Sequence, residues 1–129
     1  MEVKFSKRKP PVYEECAKRF GIKWEDGVAF TYGNTIHCKE TPSEDLIVHE
    51  MVHIEQQAKI GKELWWKRYF DEPVFRLEQE VEAYRKQLQF INERYNRFTR
   101  RLMFIKIVEY LTTMYGGICS RKDAVRMLS

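Results

Sequence analysis

Two histidines and a glutamate stand close together in His49-Glu50-Met51-Val52-His53, and they are the residues of this chain best suited to metal chemistry. On a helix, positions four apart lie one turn apart on the same face. The two imidazoles can then grip one metal ion from the same side. Glu50 follows the first histidine, where it can reach a metal-bound water without ligating the metal. Zinc-dependent peptide hydrolysis needs this set: a water whose pKa the metal lowers, and a carboxylate to take its proton.

A catalytic zinc takes three protein ligands and keeps one position open. The chain must therefore supply a third ligand. His37 is one candidate, on a predicted strand nearby in sequence. A carboxylate from Leu77-Glu78-Gln79-Glu80-Val81-Glu82-Ala83-Tyr84 is the stronger choice. Helical spacing draws an apolar stripe through Leu77, Val81, Tyr84, Leu88, Ile91 and Tyr95. Glu80 lies at the edge of that stripe, Glu78 at the opposite margin, and Glu82 on the polar side with Lys86 and Gln89. Glu80 is preferred and Glu78 is the alternative, because an inward carboxylate needs a partner and a metal is a good one. On the histidine helix, Leu46, Ile47, Met51, Val52, Ile54 and Ala58 make a broad apolar arc. His49, His53 and Gln56 fall on the other side, so the histidines are expected away from the main core face.

His49-Glu50-Met51-Val52-His53 followed by Glu80-Val81-Glu82-Ala83-Tyr84 resembles the gluzincin group of zinc metallopeptidases. The resemblance implies that Glu80, in a Glu-x-x-Ala pattern, is the third zinc ligand. His53-Ile54-Glu55-Gln56 and Tyr115-Gly116-Gly117 resemble small, uncharacterised metallopeptidases of phages and prophages. Many gluzincins have an aspartate four residues after the ligand glutamate, where it holds a histidine ligand. Here that position is Tyr84, whose hydroxyl is a weaker acceptor, and Gln56 could share the role. The implied reaction has Glu50 as general base, later passing its proton to the leaving amine, with zinc polarising the carbonyl. Tyr69, Arg76 and His37 are candidates for a second oxyanion donor.

These residues need elements to position them. Residues 1–10 read as an irregular basic lead-in, and Val12 to Phe20 as a helix stopped by Gly21. Residues 27–32 and 35–39 read as a β-hairpin turning at Gly33-Asn34, and the second strand could pair an extended peptide along its edge. Thr41 or Ser43 caps the histidine helix, which runs to about Ile60 before Gly61. A short aromatic helix carries Trp65, Trp66, Tyr69 and Phe70, read with Phe75 as core packing. A long helix from about Glu72 to Phe98 follows, with Thr99 capping a continuation through Met114. Gly116-Gly117 breaks it, and Ser120 opens a last short helix. The expected fold is one domain over residues 1–129, mainly α with a small β-hairpin (α+β), a compact minimal zincin-like arrangement.

The composition sets bounds on the rest. With 43% apolar residues in 129, the chain can bury a core, and it holds no apolar run of membrane-spanning length. The basic N-terminus lacks an apolar stretch after it, so a cytoplasmic location and no membrane partner are expected. Cys16, Cys38 and Cys119 are odd in number and unpaired in spacing, which argues for reduced, mostly buried thiols rather than a disulfide framework or a cysteine zinc site. The net charge is +4, with Arg94, Arg97, Arg100, Arg101, Lys106, Arg121, Lys122 and Arg126 gathered late in the chain. Such a cluster is more often a solvated helix face than a nucleic-acid contact. The expected cofactor is Zn2+ and the expected partner a peptide or protein substrate. The rivals are a non-catalytic zinc-binding phage or prophage assembly or host-interaction protein, and a basic nucleic-acid-associated protein.

Overall fold

The computed structural model describes residues 2–129. Six helices and a small sheet form a mainly helical α+β fold. In chain order they are β1 (Lys4–Ser6), α1 (Tyr13–Phe20), a 3-10 turn (Trp24–Asp26), β2 (Phe30–Tyr32) and β3 (Thr35–His37). Then come α2 (Glu44–Ile60), α3 (Lys62–Asp71), α4 (Pro73–Arg94), α5 (Arg97–Thr113) and α6 (Arg121–Leu128).

The predicted hairpin forms, with Phe30 opposite His37 and Tyr32 opposite Thr35. Gly33 turns it at φ 66°, a left-handed angle that costs glycine little. The lead-in is not irregular throughout. Lys4–Ser6 pairs parallel with β3, so the sheet order is β1-β3-β2. This strand was hidden because Lys4 and Phe5 are both exposed, which leaves no alternation to read. It also corrects the edge expected at Thr35–Lys39: β3 is the central strand, paired on both sides.

Helix α2 starts after Ser43, whose backbone is extended, but no side chain caps it. Glu44 and Asp45 in the first turn suit the helix dipole. The expected helix to Phe98 stops at Arg94 instead. Asn96 caps α5 by accepting from the Thr99 amide at 2.9 Å, so Thr99 is the donor in that cap rather than the cap itself. Ser120 caps α6 in the same way, through the Asp123 amide.

Helix α2 packs chiefly on α4, with β2 and α3 against its other sides. Trp65, Trp66, Tyr69 and Phe75 are buried in one core cluster with Val81, Tyr84, Leu88 and Ile91 of α4. The expected α4 stripe holds over that span, while Tyr95 falls outside the helix and is exposed. Cys16 and Cys38 are buried, Cys119 is half-buried, and all are free thiols. No described helix is long and apolar enough to cross a membrane.

Candidate metal centre

Helix α2 carries His49 and His53, and α4 brings Glu80 against them. The reactive face is inside the molecule: His49 is 2%, Glu50 4%, His53 4% and Glu80 3% exposed. This corrects the expected separation of the histidines from the core. Met51 and Ala58, assigned to the apolar arc, face solvent, while the histidine face meets α4 and the aromatics of α3. His49, His53 and Gln56 share one buried face as the spacing groups them, but the apolar arc is split, with Val52 and Ile54 buried beside the exposed Met51 and Ala58. Packing on several sides of the helix decided which residues turned inward.

Three ligand atoms converge. His49 Nε2 lies 3.1 Å and His53 Nε2 3.3 Å from Glu80 Oε1, and the two Nε2 atoms are 3.2 Å apart. Metal–nitrogen and metal–oxygen bonds of about 2.0–2.1 Å at a tetrahedral angle put neighbouring ligand atoms about 3.3 Å apart. The donor set therefore fits one tetrahedral ion, and among the described residues it is the one such group of histidine, cysteine and carboxylate atoms.

The hydrogen bonds behind the histidines fix their tautomers. Gln56 donates its Nε2 to Glu82 Oε1 and to the Gln79 carbonyl, so its Oε1 must face His53 Nδ1, at 2.7 Å. Gln87 donates to Asp45 Oδ2, so its Oε1 faces His49 Nδ1, at 3.0 Å. Both Nδ1 atoms therefore carry protons, and both Nε2 lone pairs point at Glu80. Three lone pairs at this range need a shared cation. Without a metal, a proton serves. Burial alone would lower the His53 pKa, but the Glu80 carboxylate against it pushes it up to about 9. Burial would raise Glu80, yet the two histidines hold its carboxyl well below the usual range.

Tyr84 does not accept from an imidazole. Its ring packs on His49 at 4.3 Å between centroids, and its hydroxyl bonds that of Tyr115. The acceptor role falls to Gln87, backed by Asp45, and to Gln56 as expected. Gln87 lies seven residues after Glu80 on the same face of α4, and Asp45 one turn before His49. Those spacings were the available signals for both. Gln87→Leu removes the His49 acceptor and should weaken zinc binding by about 10–100-fold, measured by competition with a chromogenic chelator.

Tyr69 donates its hydroxyl to Glu80 Oε2 at 2.6 Å, leaving Oε1 turned to the histidines. Arg76 and His37 are placed elsewhere. The Arg76 guanidinium donates to the carbonyls of Tyr115 and Tyr69, and His37 Nδ1 is bound to the Arg8 carbonyl, with His37 outside the lining of the cavity at the other two histidines. His37 is thus neither ligand nor oxyanion donor, and Arg76 braces the segment that carries Tyr69. Glu78 and Glu82 are exposed, so neither joins the histidines.

Glu50 Oε2 is 3.7 Å from His49 Nε2, and Thr31 donates to Glu50 Oε1 at 2.9 Å. Thr31 had no sequence signal, because it reaches Glu50 only through the packing of β2 on α2. Burial raises the Glu50 carboxyl above its ordinary pKa, against the opposing pull of both histidines. A cavity of about 40 Å³ lies among His49, Glu50, His53, Glu80 and Tyr69. It has room for a water or an ion. An open cleft of about 470 Å³ reaches His49 and Glu50 from solvent. Compared with protein-family models, curated proteins and solved structures, the chain shows no significant match.

Proposed function

We propose that this protein is a zinc-dependent metallopeptidase of gluzincin type, with His49, His53 and Glu80 as zinc ligands and Glu50 as general base. The observation that carries the reading is the convergence of His49 Nε2, His53 Nε2 and Glu80 Oε1 beside the Glu50 carboxylate. The order of these residues along the chain, which resembles that of gluzincins, supports it. A structural zinc site has no need of a buried carboxylate held beside its ligands, whereas a hydrolytic site does.

Zinc held by these ligands supplies an activated water and Lewis acidity toward a carbonyl. The chain does the rest. Gln87 and Gln56 hold the imidazoles with their Nε2 atoms turned to the site. Tyr69 keeps Glu80 oriented through its Oε2. Thr31 anchors one oxygen of Glu50, leaving Oε2 to take a proton from the attacking water and return it to the leaving amine. Burial makes that carboxylate a stronger base than an exposed one. Trp65, Trp66 and Tyr69 exclude bulk water from the inner side. Of the oxyanion-donor candidates Tyr69 alone lines this cavity, and its one O–H is given to Glu80.

The test is metal analysis of protein purified without chelator, paired with a broad peptide-mixture cleavage assay. About one zinc per chain and chelator-sensitive cleavage are expected. Absence of zinc would sink the reading, and bound zinc without any cleavage would favour the non-catalytic zinc-binding protein.

A further inference from the structure

The cleft that leads to Glu50 differs in charge from the rest of the molecule. The chain has 23 lysines and arginines against 19 carboxylates, yet no residue lining the cleft is Lys or Arg. The carboxylates that line it are Asp26, Glu109 of α5 and Glu50, and of these only Glu50 is buried. Among the described residues, neither Asp26 nor Glu109 forms an ion pair. Glu50 is buried and has Oε1 held by Thr31, while its Oε2 accepts no hydrogen bond among the described residues. Ile22, Val28, Leu46 and Met114 give the lining an apolar part, beside polar groups of Gln87, Thr113 and Tyr110.

A divalent ion at the histidines would offset Glu50 and Glu80, leaving Asp26 and Glu109 to set the sign of the entrance. A negative cleft in low-dielectric walls concentrates cations and repels anions. We infer that the cleft selects peptides that carry a lysine or arginine side chain among apolar residues, with the cationic group drawn to the carboxylates of Asp26 and Glu109. This rests on the peptidase reading and adds the substrate class to it. The apolar neighbours of the peptide fill the walls, and the cation supplies the orientation that apolar contact cannot.

The test reads binding separately from turnover. The zinc-loaded Glu50→Gln protein is titrated against fluorescent apolar peptides that differ only in one Lys, Gln or Glu. The Lys peptide should bind about two- to fivefold more tightly than the Gln peptide, as expected for a partly exposed charge pair, and the Glu peptide more weakly still. High salt should shrink the difference. Adding Asp26→Lys and Glu109→Lys should reverse the order. Equal binding of the three peptides, or an order that survives the charge reversal, would overturn the inference and leave the peptidase reading standing. Failure of wild-type protein to cleave any peptide would count against that reading, while the binding order would still decide the cleft's preference.

Discussion

On the peptidase proposed above, Glu50→Gln should leave zinc in place and lower peptide turnover by about 10²–10⁴-fold, the range for loss of a positioned general base. The substitution is nearly isosteric, and the amide can keep the Thr31 hydroxyl as donor to its oxygen. The ligand atoms of His49, His53 and Glu80 do not depend on it, since their own partners are Gln87, Gln56 and Tyr69. The amide cannot take a proton, so the loss should fall on kcat more than on KM. Zinc content and turnover, measured on one preparation, check both halves. A variant that keeps wild-type turnover removes Glu50 from the mechanism.

The second large effect concerns Glu80. Glu80→Ala should reduce zinc from about one per chain to a trace, because two histidines alone leave a catalytic site one ligand short. It should also destabilise the metal-free protein by about 3–5 kcal/mol, the cost of removing one member of a buried charge pair. His53 would lose its carboxylate partner and the Tyr69 hydroxyl its acceptor, both in the interior. Glu78→Ala, at an exposed position on the same helix, should change stability by no more than about 0.5 kcal/mol and leave zinc unaffected. Metal analysis and urea unfolding in chelator separate the two variants. Full zinc in Glu80→Ala would mean that Glu80 is not the ligand.

Much of the site was legible in the chain. The spacing of His49 and His53 determines that both imidazoles project from one helical face, whatever surrounds that helix. The apolar stripe of α4 placed Glu80 at its inner edge and left Glu82 outside, because a helix of that length must turn one face to the core. Gly61, Pro73 and Gly116-Gly117 marked element ends through backbone constraints that are local.

Tertiary structure decided what local constraints leave open. A helical wheel groups residues by face but does not say how many faces are buried, and α2 is covered on more than one side. The polar face of α2 could therefore go inward, where Gln56, Gln87 and Asp45 satisfy its histidines. Strand β1 exists only because β3 offers a free edge, with no pattern of its own to announce it. Tyr84 stands where the gluzincin resemblance implies a residue that holds a histidine ligand, but packing turns its ring onto His49 and its hydroxyl to Tyr115. His49 and His53 were thus set beside each other by the chain alone. Their meeting with Glu80, and the hold of Thr31 on Glu50, came from packing of segments distant in sequence, which no local periodicity encodes.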